Sequence, residues 1–244
     1  MNKLLIISAI VLILLVILYT IFVNIIERDP NNIRLVYDIT TNLGEGKRII
    51  DSDTAKEVLL NSSNSTLLAY IYLEPGDRTT NINTNEQTLL KQGDSWAINM
   101  KSGGIPELKV TTLNGIETTE LPVIPYQKWV ALTIVREGRR FDIYYNSELV
   151  ASHRLSKYIK IQLASVQAGS EGLRGKITKV YIAGRSYDKN EMKQIYSTTS
   201  DTRGRPYMKE DSVIPKLGCP SGLFCFVTAS PPPSPYQRWV TQYS

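Results

Sequence analysis

Four oxygen-bearing side chains stand in two turn-rich stretches: Glu74, Asp77 and Asn81 in EPGDRTTNIN, and Asp94 in KQGDSW. Loop carboxylates and amide carbonyls are the donors that a hard cation such as calcium takes. A calcium-assisted sugar site would add an aromatic platform, for which Trp96 and Tyr126 are the candidates. The competing reading is that these are ordinary turn residues, since no spacing forces them onto one rim. Calcium is the one cofactor that this pattern suggests.

Catalysis has less to draw on. Hydrolysis of a glycosidic bond needs two carboxylates roughly 5–10 Å apart, which on a strand means acids at alternating positions. Asp142 stands alone between Phe141 and Ile143, and Glu117 and Glu120 follow the Asn114-Gly115 turn. All three read as solvated charges. His153 is the only histidine and reads as an outward residue, which argues against a histidine metal cluster or a Ser-His-Asp triad. Neither a Gly-rich phosphate loop nor a redox pair occurs. No catalytic residue and no metal ligand set is assigned, and an enzyme is not expected.

Two further patterns concern processing and docking. Asn61-Ser62-Ser63 and Asn64-Ser65-Thr66 are glycosylation acceptors, expected in a loop between strands. Cys219 and Cys225, the only cysteines, could close a small disulfide loop in an oxidising compartment, with Pro220 and Gly222 helping the turn; zinc is a weaker alternative. A PPPSP segment beyond them favours extended polyproline geometry. Phe224, Phe226 and Trp239 make this tail too apolar to stay idle, so it is expected to dock on its own domain or on a protein partner. The phrase PYQKWV at 125–130 returns as PYQRWV at 235–240, where Trp239 would anchor a strand-like docking segment.

These groups must be carried by a body of ordinary globular composition. The net charge of +5 is scattered, with no Lys/Arg run longer than two residues, so a nucleic-acid partner is not expected. From Leu4 to Ile26 the chain is nearly continuously apolar, enough to span a bilayer core of ~30 Å as a helix. With no cleavage site visible, residues 1–29 read as a retained signal-anchor in a lipid bilayer. Lys3 before the span, with Glu27, Arg28 and Asp29 after it, leans the body toward the luminal or extracellular side.

Residues 30–197 then alternate in short runs: Ile33–Ile39, Glu57–Leu60, Thr66–Leu73, Thr88–Lys91, Trp96–Met100, Leu108–Leu113, Trp129–Arg136, Arg140–Tyr145, Leu149–Leu155, Tyr158–Leu163 and Lys176–Ile182. Such spacing predicts an all-β antiparallel sandwich or barrel. Apolar residues on both faces of the Trp129–Arg136 run predict a central strand between two packed layers. One helix is predicted at Lys189–Tyr196, opened by Ser186 and Asp188, and residues 198–244 read as irregular tail.

Particular residues carry a family resemblance. Trp129 opens a strand, Arg136-Glu137-Gly138 turns the chain, and Phe141, Ile143, Tyr144 and Asn146 spell F-x-I-Y-x-N. Gly175, Ile177, Val180, Ile182, Arg185, Glu191 and Tyr196 close the domain. This resembles the laminin-G-like members of the concanavalin A-like jelly-roll superfamily from about Ile33 to Ser197, with Tyr70 where many members have Trp. The resemblance implies a jelly-roll sandwich and leaves the ligand open, because the superfamily includes lectins, glycosidases and structural domains. The expected function is a membrane-anchored, non-catalytic binding or assembly protein. Anchor, lone lectin-like domain and tail together resemble virion membrane or minor capsid proteins of large DNA viruses. The alternative is a cell-surface or luminal lectin with a glycan partner.

Overall fold

Strands β4 (Asn64–Leu73) and β9 (Trp129–Glu137) lie side by side from Asn64 opposite Glu137 to Tyr72 opposite Trp129, the longest pairing in the fold. Leu67, Ala69, Ile71 and Leu73 of β4 face one core, as do Val130, Leu132 and Ile134 of β9. The intervening Leu68, Tyr70 and Ala131 face a second, smaller one. Strict alternation with both sets apolar is what a doubly covered strand requires. The expectation of a central strand between two layers holds.

The computed structural model describes residues 11–20, 33–60, 62–75, 87–101 and 104–208. Among them the strands form two antiparallel sheets. The first runs β1 (Arg34–Tyr37), β13 (Gly175–Ala183), β4, β9, β10 (Arg140–Tyr145), β11 (Glu148–Arg154), with β2 (Thr41–Asn42) beside β13. The second runs β3 (Lys47–Ile50), β12 (Val166–Ala168), β5 (Gln87–Gln92), β6 (Trp96–Met100), β7 (Pro106–Thr112), β8 (Gly115–Glu120). Sequence neighbours pair as hairpins within each sheet, while β12 and β13 cross from one sheet to the other near the end of the domain. The main core lies between the sheets and includes Leu43, Leu89, Leu90, Ile98, Phe141 and Ile177, all essentially inaccessible. This is an antiparallel jelly-roll sandwich.

The second core is closed by α3 (Lys189–Thr199), longer at its C-terminus than the predicted Lys189–Tyr196. Asp188 caps it: its carboxylate accepts from Glu191 N at 2.8 Å while Glu191 accepts from Asp188 N at 2.9 Å, a full capping box. Met192 packs against Leu68, Tyr70 and Ala131. Tyr70 is fully buried, and its hydroxyl and Thr199 Oγ1 share a 2.7 Å hydrogen bond. A phenol taken out of water needs such a partner, so Tyr70 ties β4 to the last turn of α3.

Several local expectations are corrected. Glu57–Leu60 is not a strand: α2 (Ser52–Ala55) continues as a π-helical turn over Lys56–Leu60. Asp51 caps α2 by accepting from Thr54 N, and buried Ala55, Val58 and Leu59 recur at helical spacing. Tyr158–Leu163 is an extended strap instead of a strand, tied to β7 by Lys160 N donating to Thr111 O at 2.8 Å and by an Ile159 bridge to Thr112. Strands β2, β3, β8 and β12 are additional. Asn64 lies at the start of β4, not in a loop, and its amide oxygen accepts from Gly138 N at 3.3 Å.

Of the apolar run Leu4–Ile26, residues 11–20 are described and form a helix, α1, with exposed side chains. Among the described residues no helix is long and apolar enough to cross a membrane; the rest of the run lies outside them. The chain divides into Met1–Pro206 and Tyr207–Ser244. Phe224, Phe226, Trp239, Cys219 and Cys225 lie outside the described residues, as does Asn61.

Gly169, between β12 and β13, has φ +82° and its backbone meets Leu43 so closely that a Cβ would sit 1.8 Å from Leu43 O. Gly138 has φ +59° with nothing within 4 Å of a Cβ. Replacing Gly169 by Ala should therefore destabilise the domain by about 3 kcal/mol or more, through strain plus overpacking. Gly138→Ala should cost only about 1 kcal/mol, from its left-handed backbone. Equilibrium urea unfolding of the two variants checks the contrast.

Candidate functional site

Among the described residues the calcium and sugar candidates fall at two ends of the sandwich. Glu74 follows β4, and its N–H donates to Arg174 O at 3.2 Å; Tyr126 bridges to Leu73 at the same end of the sandwich. Asp94 and Trp96 are at the other end, where Trp96 shares a cavity wall with Ser65 near the start of β4. From residue 65 to residue 74 a strand advances about 30 Å, too far for one cation or one sugar ring. Trp96 is also no platform: it is 7% exposed, and its indole Nε1 donates to Gln92 Oε1 at 2.8 Å. Asp94 is exposed, with its N–H donating to Gln162 Oε1 at 3.0 Å. Asp77 and Asn81 lie outside the described residues. Among the described residues no group of three or more His, Cys, Asp or Glu side chains could hold a metal ion.

Chemistry gathers instead around the β9–β10 hairpin. Glu137, Arg139, Arg140, Arg154 and Tyr158 line an open cavity of about 380 Å³ at the sandwich rim. Antiparallel register brings them together: Arg140 lies opposite Glu137 on one side and Arg154 of β11 on the other. The strap completes the wall, because Leu155 N donates to Arg139 O at 2.8 Å and Arg139 Nη1 donates to Ser156 O at 3.0 Å. The Arg139 guanidinium then lies 5.7 Å from the Tyr158 ring centroid, while Tyr158 remains 62% exposed.

The three guanidiniums differ electrostatically. Arg140 is neutralised by Glu137 and by Asp142, whose carboxylate lies 3.0 Å from Arg140 Nε. Asp142 is therefore not a solvated charge; it is buried and also accepts from Ser152 Oγ at 2.5 Å. Among the described residues Arg139 and Arg154 have no carboxylate partner. Two uncompensated guanidiniums beside an exposed aromatic ring make a site for an anion with an apolar face.

Glu117, expected to be solvated beside a turn, lies on β8 and braces the strap from behind. It accepts from Ser156 Oγ at 2.6 Å and Ser156 N at 3.2 Å, with His153 Nε2 at 3.4 Å. The Ser156 hydroxyl is the main cause that holds the Glu117 carboxyl below its ordinary value of 4.5. Glu120, at the other end of β8, instead pairs with Lys101 at 3.1 Å. Sequence reasoning missed the arginine rim because Arg154 and Tyr158 join Arg139 and Arg140 only through strand register. The adjacent Arg139-Arg140 pair in a hairpin turn was the visible signal.

No protein-family model and no curated protein matches the sequence. Solved structures do match the fold. The receptor binding domain of botulinum neurotoxin C/D mosaic serotype superimposes with a TM-score of 0.53 at 19% identity, covering 72% of this chain and 49% of that one. The botulinum neurotoxin serotype D ligand binding domain, in complex with N-acetylneuraminic acid, gives 0.52 at 18% identity, covering 73% and 48%. This chain thus spans about half the length of those structures. At these identities the likeness is one of fold alone: a two-sheet antiparallel β-sandwich.

Because the folded-state carboxyl of Glu117 is depressed, its contribution to stability is present above pH 4.5 and fades as pH falls through the lowered value. Ser156→Ala should raise the Glu117 pKa back toward 4.5, as read by NMR titration of the side-chain carboxyl.

Proposed function

We propose that this chain is a non-catalytic binding protein whose sandwich takes up an acidic glycan at the arginine rim. The carrying observation is the pair Arg139 and Arg154, free of carboxylate partners among the described residues, beside exposed Tyr158 in an open cavity. A sugar carboxylate accepts two parallel N–H bonds from a guanidinium, and the C–H face of a pyranose packs on a phenol ring. The ligand of the serotype D domain, N-acetylneuraminic acid, is a sugar of this carboxylate class, which supports the reading by analogy of fold. Calcium is unnecessary at such a rim, because the arginines supply the positive charge.

Binding of sialylated against neutral oligosaccharides to the full chain in non-ionic detergent tests this. Sialylated glycans should bind preferentially, unaffected by a chelator and weakened by salt. Arg154→Ala and Tyr158→Ala should each lower affinity by roughly tenfold or more. Equal binding of neutral and acidic sugars, or none of either, would defeat the proposal.

The same reading places the protein at a membrane through Leu4–Ile26, whose length and purity support a single span with the body on the luminal or extracellular side. An assembly role at a virion membrane is supported by the order of anchor, sandwich and aromatic tail in the sequence. The expressed chain should stay in the membrane pellet after alkaline carbonate extraction, and release into the supernatant would remove the anchor.

A further inference from the structure

Between the sheets, near the start of β4, lies a small cavity of about 20 Å³. Leu59, Leu67, Ile134 and Phe141 supply apolar wall, Ser65 supplies a hydroxyl, and Gln92 and Arg136 supply nitrogen donors. Both polar residues are buried, with 2% and 6% of their surface exposed respectively. Arg136 Nη2 donates to Leu59 O at 2.8 Å and to Ser62 O, holding the end of the π-helical turn. Its Nε–H has no partner. Gln92 is oriented by the indole of Trp96: a ring N–H can only donate, so the amide oxygen must face it. That leaves the Gln92 Nε2 group buried and unpartnered.

Two residues with orphan donors therefore line one cavity, and among the described residues no carboxylate pairs with the guanidinium of Arg136. A guest there must accept hydrogen bonds. Water accepts two but must also place two protons, and with Gln92 Oε1 engaged by Trp96 the Ser65 hydroxyl is the one side-chain acceptor in the wall. Toward an anion that hydroxyl would turn as a third donor. A monoatomic anion accepts from every side, needs no acceptor, and offsets the guanidinium charge. Its volume suits a space for about one solvent-sized particle. Burial without a counter-charge also pushes the Arg136 guanidinium below its ordinary value, a strain that such a guest would relieve.

We propose that this cavity binds a single halide, chloride under ordinary conditions, between Arg136 Nε and Gln92 Nε2. The site is separate from the arginine rim and its ligand unrelated to the glycan.

Thermal unfolding of the full chain in detergent, in sodium chloride or bromide against sodium gluconate at equal ionic strength, reads the halide effect. Above saturation, Tm should rise by on the order of 3–5 °C per tenfold increase in halide. Trp96 lines the cavity, so a variant with Trp129 and Trp239 replaced by Phe should show saturable quenching by bromide. Gln92→Glu keeps the oxygen that Trp96 needs while supplying a built-in negative charge. It should fold and lose both the Tm response and the saturable quenching. Arg136→Met should lose them too if it folds, but the conclusion stands on Gln92→Glu. Equal Tm in halide and gluconate with linear, non-saturating quenching would overturn the proposal and assign the cavity to water. A full halide response in Gln92→Glu would overturn it equally.

Discussion

The β4–β9 pair is apolar on both faces, and a strand of that kind cannot be stable with only one layer beside it. The opposing sheet covers the inner face, and helix α3 together with Ile33, Trp129 and Tyr181 covers the outer one. The remaining topology accommodates that constraint. The chain must return to the first sheet late, as β13, so that α3 can follow and seal the second core. It must also tolerate close backbone approaches at Gly169 and Gly175 where β12 and β13 change sheets. Burial on this scale is the main favourable contribution to folding and is roughly proportional to the apolar area removed from water.

Rigid strands then present a rim whose chemistry they do not share. Arg139 stands on the two-residue turn with Gly138, Arg140 at the start of β10, Arg154 at the end of the neighbouring strand, and Tyr158 on a strap pinned by backbone hydrogen bonds. Glu117 and Ser156 brace the strap from the second sheet, so the rim is tied to both layers. Binding groups placed on loops over such a scaffold are oriented by the core without contributing to it.

The strong alternation of Thr66–Leu73, Trp96–Met100 and Trp129–Arg136 made most of the first sheet and the centre of the second legible in the sequence. What was not legible has identifiable causes. Strand β8, reading IETTE, is polar on an edge and looks like a loop. Strand β12 is three residues long, below the length at which a period can be seen. Glu57–Leu60 has β-branched and aliphatic residues that suit strand or helix, and the Asp51 cap decided the matter. The described cation candidates Glu74 and Asp94 are divided for a different reason: turn residues share composition wherever they lie, while their end of the sandwich depends on strand direction. Trp96 shows the same limit, because an indole at a strand start serves equally as a platform or as core.

The hydrogen bond between Tyr70 and Thr199 gives the domain a mechanical polarity. Helix α3 is followed by a short reversal in which Ser200 bridges back to Pro206, and beyond it the chain continues to Ser244. Tension applied from that side reaches the sandwich through the last turn of α3, and from there through a buried hydroxyl pair to the most extensively paired strand. That single hydroxyl pair is weaker than the ladders joining β4 to β13 and β9, so α3 would part from β4 before β4 left the sheet.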